Sequence, residues 1–150
     1  MTSLAAMKSL RELNLSDGRF SDKGLAQLSA LPNLERLAVT RTRLTDKGIE
    51  SLAGMRALQA LTLDYLPLTD KAIELLKGLP ALKVLSLDST NITDRGAEIL
   101  QSIPTLQSLD LYHTPVSKKA YEALRASLPQ CRIFYDEQSA SPNRRVVRAQ

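Results

Sequence analysis

One cysteine, one histidine and no tryptophan occur in 150 residues, and aromatic residues make up only 4% of the chain. Cys131 by itself cannot close an intramolecular disulfide. With His113 the single histidine, a metal site built on several imidazoles is excluded. No run of ~18 apolar residues is present, so no segment reads as a membrane span. The N-terminus lacks a charged segment followed by an apolar core, so it does not read as a signal peptide, and a cytoplasmic setting is expected. A glycine-rich phosphate loop is missing as well. The net charge is +4. Arg144, Arg145 and Arg148 against Glu137 leave +2 of it in the last 14 residues, too little elsewhere to argue for nucleic acid.

What the sequence does hold is leucine at a fixed interval. Leu10, Leu34, Leu58, Leu82 and Leu106 form one column with a period of 24 residues. Leu13, Leu37, Leu61, Leu85 and Leu109 form a second, and Leu15, Val39, Leu63, Leu87 and Leu111 a third. A strict internal period of this length is the signature of a solenoid, in which each unit buries its apolar face only against its neighbours. The stretch from Leu82 to Thr105 is the clearest copy of the unit.

Each unit has three parts. Glu12–Ser16 alternates, with Leu13 and Leu15 on one face and Glu12, Asn14 and Ser16 on the other, which predicts a half-buried strand. The alternation returns at 36–40, 60–64, 84–88 and 108–112. A turn follows, marked by Gly18, Thr42, Leu66, Thr90 and Thr114. A hydroxyl there can bond the bending backbone, and Leu66 requires a different solution. Phe20, Leu44, Leu68, Ile92 and Val116 then return to the core. Ser21-Asp22, Thr45-Asp46, Thr69-Asp70 and Thr93-Asp94 predict helix starts, with capping oxygens and negative charge at the positive end of the dipole. Leu28, Leu52, Leu76, Leu100 and Leu124 face inward, and Pro32, Pro80 and Pro104 end the helical part. Parallel strands this far apart need such a crossover.

The ends depart from the pattern. Leu4, Met7 and Leu10 align with Leu28, Leu31 and Leu34, so the chain starts inside a repeat with a thin cover over Leu13, Leu15, Phe20 and Leu25. At the other end Lys118 stands where the aspartate should be, and Leu128-Pro129 comes one residue late, stretching the spacing to 25. Tyr121, Ile133, Phe134 and Tyr135 predict a closing strand. The expected organisation is a solenoid of about five repeats over residues 1–136, with a C-terminal cap at 117–136 and a disordered basic tail at 137–150.

The pattern L-x-x-L-x-L-x-x-T-x-[LI]-T-D-[KR]-G resembles the leucine-rich-repeat family, in its 24-residue bacterial class. The resemblance covers residues 4–136. It implies an α/β fold: a right-handed, curved solenoid with a parallel sheet lining the concave face and helices on the convex face. It implies little about function, because the family performs many tasks on one scaffold. No segment resembling an F-box accompanies the repeats.

The strand positions that face away from the leucines are where function is sought. In successive repeats they read Glu12, Arg36, Ala60, Val84, Ser108, then Asn14, Ala38, Thr62, Ser86, Asp110, then Ser16, Thr40, Asp64, Asp88, Tyr112. Just beyond stand Asp17, Arg41, Tyr65, Ser89 and His113. Strands stack ~4.8 Å apart, so these columns become continuous rows. Arg36 and Arg41 mark the N-terminal half; Asp64, Tyr65, Asp88, Asp110, Tyr112 and His113 mark the C-terminal half. Tyrosines among polar groups on a rigid face are typical interface anchors. These eight residues are the candidate binding site.

A second row, Lys23, Lys47, Lys71, Arg95 and Lys119, sits at the helix starts. Four of these precede Glu50, Glu74, Glu98 and Glu122 by three residues, so the row reads as a solvated face of local ion pairs. For catalysis there is little. A Cys131–His113 nucleophile pair is weakened by Cys131 lying in the closing, core-filling segment. Asp64 with Asp88 as an acid–base pair would stand on an open face with nothing to exclude water. The chain is therefore expected to be a non-enzymatic module without cofactor or metal, binding a protein or peptide partner on its concave face. The alternatives are a structural element that self-associates through its N-terminal edge, and the C-terminal part of a larger signalling or effector protein.

Overall fold

The computed structural model describes residues 6–140. Six strands, β1 (Glu12–Asn14), β2 (Arg36–Ala38), β3 (Ala60–Thr62), β4 (Val84–Ser86), β5 (Ser108–Asp110) and β6 (Arg132–Phe134), form one parallel sheet in sequence order. Helical segments alternate with them: α1 (Asp22–Leu28), α2 (Asp46–Ile49), α3 (Asp70–Leu76), α4 (Asp94–Leu100) and α5 (Lys118–Ser127). The sheet is open, with β1 and β6 at its edges. The register pairs Glu12 with Arg36, Arg36 with Ala60, Ala60 with Val84 and Val84 with Ser108, so the period of the sequence is the stagger of the sheet. The α/β solenoid expected from the leucine columns is the fold observed.

Between sheet and helices the leucines form a single core. Leu34, Leu58, Leu61, Leu82, Leu85 and Leu109 are buried, as are Leu28, Leu52, Leu76, Leu100 and Leu124 from the helical side. Leu10, Leu13 and Leu15 of the first repeat are only partly buried, because each lacks one of the two flanking repeats that cover its counterparts. The turn hydroxyls act as expected: Thr42, Thr90 and Thr114 Oγ1 donate to the carbonyls of Val39, Leu87 and Leu111 at 2.7–2.9 Å. Leu66 instead inserts into the core, 2% exposed, exchanging the hydrogen bond for apolar burial.

Two expectations about the helices need correction. Only Thr69 and Ser117 accept a capping bond from their own helix, from Lys71 N at 3.4 Å and Ala120 N at 3.2 Å. The aspartates reach forward into the next repeat instead. Asp22 accepts from Thr45 N at 2.9 Å and Thr45 Oγ1 at 2.7 Å. Asp46 does the same with Thr69, Asp70 with Thr93, and Asp94 with Ser117. Each rung crosses 23 residues and satisfies a backbone N–H at a helix start that has no intrahelical partner. The Thr-Asp dipeptide is a link between repeats. The small-residue column makes room for it: a Cβ at Gly48 would fall 2.4 Å from Asp22 Oδ1, and one at Gly96 would fall 2.4 Å from Asp70 Oδ1 and 2.5 Å from Ile92 Cγ2.

The second correction concerns the lysine row. Among the described residues none of the four lysine- or arginine-to-glutamate pairs forms; Glu74 turns the other way, to Lys77 at 2.7 Å. Glutamate N-terminal to lysine is the favourable order on a helix, and the row has the reverse order.

At the C-terminal end the extra residue is absorbed locally. The helix α5 runs 10 residues, against 7 in α1, α3 and α4, and Cys131 takes the place of Leu106 one residue late. The β5–β6 register nevertheless pairs Ser108 with Arg132, because one residue fewer separates Cys131 from Ile133 than separates Leu106 from Leu109. In place of an aspartate α5 begins with Lys118, whose Nζ lies 3.3 Å from Glu137. Tyr121 and Tyr135 stack at 4.3 Å, and the Tyr135 hydroxyl donates to the Val116 carbonyl at 3.2 Å. Of the expected tail, residues 137–140 form a 3₁₀ turn; residues 141–150, with the three arginines, lie outside the described residues, as do residues 1–5 and Leu4.

Candidate functional site

Three-residue strands leave few outward positions per repeat, and the loop that follows each strand adds one more. Asp17, Arg41, Tyr65, Ser89 and His113 all adopt left-handed backbone, with φ between 51° and 61°. The first four continue the ladder by one bond before the chain turns away: Asp17 N donates to Thr40 O, Arg41 N to Asp64 O, Tyr65 N to Asp88 O and Ser89 N to Tyr112 O. Left-handed backbone costs an L-residue about 1–2 kcal/mol, and glycine occupies none of these five positions. Nothing in the alternation of leucines signals that strain; the only sequence trace is Asp17 and His113 in the column, types that tolerate the region. At Tyr65 the expected outcome of substitution follows. Tyr65→Val should destabilise by about 1–2 kcal/mol, since a β-branched residue fits this backbone worst, while Tyr65→Gly should be neutral or raise stability by up to ~1 kcal/mol. Urea titrations that found the two variants equal would show that the turn relaxes.

The outward rows bring most of the candidate residues together. In the N-terminal half Arg41 donates to both carboxylate oxygens of Asp17, at 2.6 and 3.2 Å, and its guanidinium lies 5.5 Å from the centre of the Tyr65 ring. That pairing holds the Asp17 carboxyl below the usual carboxylate range, the Arg41 hydrogen bond being the largest cause. Arg36 stands at the opposite end of β2 from Arg41 and, among the described residues, makes no ion pair.

The C-terminal half is a connected carboxylate network. Asp64 Oδ1 accepts from Ser86 Oγ at 2.6 Å and from Asp88 N at 3.1 Å. Asp88 Oδ1 accepts from Ser89 Oγ at 2.9 Å and lies 2.7 Å from His113 Nδ1. Asp110 Oδ1 accepts from Tyr112 N at 2.9 Å, and the Tyr112 and His113 rings lie 5.9 Å apart. Partial burial raises the Asp64 carboxyl above its ordinary range, opposed by the Ser86 and Asp88 hydrogen bonds and reinforced by the charges of Asp88 and Asp110. Burial likewise raises Asp110, with Asp88 adding to the shift and His113 opposing it. Tyr65, Val84 and Tyr112 are the large apolar side chains this face leaves in solvent, at 50%, 42% and 38% exposure.

Such an array can recognise shape and charge. Cys131 is buried and its thiol is pushed up by desolvation, away from the thiolate form a nucleophile requires. Among the described residues no group of three or more histidine, cysteine, aspartate or glutamate side chains is arranged to hold a metal ion. Among them, too, no helix is long and apolar enough to cross a membrane.

The chain was compared with known proteins on this basis. The family model described as "Leucine Rich repeat" matches three times, at residues 6–29, 30–53 and 79–100. No curated protein matches. Among solved structures, internalin C2 from Listeria monocytogenes superposes with a TM-score of 0.70 at 27% identity, covering 95% of this chain and 61% of that one. Actin-binding site 2 of leiomodin-1 gives 0.69 at 18% identity, covering 86% of each chain. A leucine-rich-repeat protein of Leptospira interrogans gives 0.62 at 22% identity, covering 88% of this chain and 38% of the other. This chain thus spans less than two thirds of both bacterial structures, and the two likenesses below 25% identity speak to the fold alone. With the repeat model, the six-stranded parallel sheet and these neighbours in agreement, the chain belongs to the leucine-rich-repeat family.

Proposed function

We propose that this chain is a protein-interaction module whose concave sheet face binds a protein or peptide partner by side-chain complementarity, without chemistry. The observation that carries this reading is the exposure of Tyr65, Val84 and Tyr112 on one face of a sheet whose opposite face, from β2 to β5, is packed on the core. Two half-exposed tyrosines and a valine on rigid strand ends and turns make poor solvated surface and good anchors. Arg36 and Arg41 flank the site on one side and Asp64, Asp88, Asp110 and His113 make up its polar part. A protein-binding role is in keeping with the family, and one structural neighbour is itself an actin-binding site. On this reading residues 1–136 work as one solenoid closed by 117–136, in a cytoplasmic setting suited to a lone reduced cysteine.

The test is affinity capture with the wild-type chain and with a Tyr65→Ala/Tyr112→Ala variant. A partner held by the first should be weakened about 30-fold or more by the second, the loss expected when two anchor residues go. Equal capture by both would move binding off this face. The second reading, association through the N-terminal edge, has support in the partial exposure of Leu10, Leu13 and Leu15 beside the side of β1 that no described strand pairs. Capture of nothing but the chain itself would favour it.

A further inference from the structure

The concave face also specifies what kind of partner it takes, an inference that rests on the proposed function. Its exposed apolar groups are spaced as walls. Tyr65 follows β3 and Tyr112 follows β5, two strands and roughly 10 Å apart at ~4.8 Å per strand. Between them stand the small, partly buried Ser86 of β4 and Ser89, three residues beyond it. Small side chains thus line the gap between the two rings.

The polar groups in and beside that gap are asymmetric. Five of the other six aspartates spend both oxygens inside the protein: Asp22, Asp46, Asp70 and Asp94 each accept a backbone N–H on one and a hydroxyl on the other, and Asp17 accepts two bonds from Arg41, while Asp136 beyond the sheet accepts on Oδ1 from Gln138 N. Asp64, Asp88 and Asp110 differ. Every bond they receive from a described residue goes to Oδ1, and none of the described residues donates to any of the three Oδ2 atoms. Nor do the described residues supply much compensating charge. His113 sits on Asp88, Arg41 is held by Asp17, and Arg132 lies with its guanidinium 4.8 Å from the centre of the Phe134 ring. The upward displacement of Asp64 and Asp110 agrees with carboxylates that burial and mutual repulsion leave under-compensated.

We propose that the occupant of this face is a basic peptide segment. Its arginine or lysine side chains lie between Tyr65 and Tyr112 and donate to the Oδ2 atoms of Asp64, Asp88 and Asp110. Charge complementarity selects the occupant: three acceptor oxygens without donors call for N–H-rich cations, and tyrosine faces accept both aliphatic stems and guanidinium planes. Arg41 against Tyr65 already shows the second contact within the chain.

The experiment uses the full chain and two capped pentapeptides, Gly-Arg-Gly-Arg-Gly and Gly-Glu-Gly-Glu-Gly, followed by two-dimensional NMR, with spermine as a control cation. The arginine peptide should shift the amides of Tyr65, Ser89 and Tyr112, and the glutamate peptide should leave them in place. An Asp64→Asn/Asp88→Asn/Asp110→Asn variant keeps the Oδ1 acceptors, and so the fold, while losing the charge; its affinity for the arginine peptide should fall at least tenfold. Equal shifts from both peptides, shifts confined to the helical face, no shift at all, or full competition by spermine would each overturn the proposal. The partner captured above separates this inference from the reading beneath it. Loss of that partner in the tyrosine variant with full retention in the triple asparagine variant would leave the concave face standing and remove the basic ligand. Retention in both would remove both.

Discussion

Leu85→Ala is expected to lower folding stability by about 3–5 kcal/mol, among the largest effects of any single substitution in this chain. Leu85 sits in β4, 1% exposed, with β3 and β5 on either side and the helical layer beneath. Removing three carbons there leaves a cavity that neighbours on both flanks are too well packed to fill. The same change at Leu13, in β1 and only partly buried, should cost about half as much or less. The position in the solenoid matters beyond burial. Each repeat contacts only its neighbours, so a defect at β4 weakens two interfaces and one at β1 weakens a single one. Urea titrations of the two variants, with the slope as well as the midpoint compared, are the measurement. A lowered slope for Leu85→Ala would mean that the two ends now unfold separately. Equal costs at the two sites would mean that the first repeat is covered as well as the fourth.

The second large effect is expected at the aspartate rungs. Asp70→Ala removes the acceptor for Thr93 N at 2.8 Å and for Thr93 Oγ1 at 2.5 Å, and it leaves a helix-start N–H without a protein partner. Two charge-assisted bonds at a partly exposed site, discounted for solvent, put the loss at about 2 kcal/mol. A helix-dipole role alone would give about 0.3–1 kcal/mol and would not depend on Thr93. The double-mutant cycle separates the two accounts. Asp70→Ala and Thr93→Ala should couple by about 1 kcal/mol if the rung is real, and should add if Asp70 serves only its own helix. Asp70→Asn, which keeps an oxygen for Thr93 N, should lie between wild type and Asp70→Ala.

These two sites differ in how much of them the sequence reveals. The fate of Leu85 is legible from its column: a leucine recurring at a constant interval, flanked by alternating polar residues, has to face a core shared with the preceding and following copies. The role of Asp70 is not legible. A Thr-Asp pair before an apolar run reads as a local cap, because a linear sequence shows only what is near in number, and the partner of Asp70 is 23 residues away. The period itself was the missed signal. Aspartate stops at position 94 and serine still stands at 117, so the series ends on a hydroxyl donor that has only the preceding aspartate as its acceptor, the pattern of a bond between successive repeats.

The concave site divides in the same way. Which residues point out of the strands follows from alternation, which names Arg36, Asp64, Asp88, Asp110 and Tyr112, while Arg41, Tyr65 and His113 stand just beyond it. Which of them meet does not follow. That Arg41 is consumed by Asp17, that His113 settles on Asp88, and that Asp64 spends one oxygen on Ser86 and Asp88 are settled by side-chain reach across strands. The left-handed backbone at Tyr65 and its four counterparts is likewise invisible to any hydrophobic pattern.

The sequence alone therefore determined the repeat, the parallel sheet, the core and the outward rows, because each depends on a periodicity that every copy reinforces. Only the tertiary structure decided the rungs between repeats, the recovery of register at Arg132, the strained turn residues and the oxygens left open on the concave face. Those depend on distances between side chains in adjacent turns of the solenoid, which exist only once the turns are stacked.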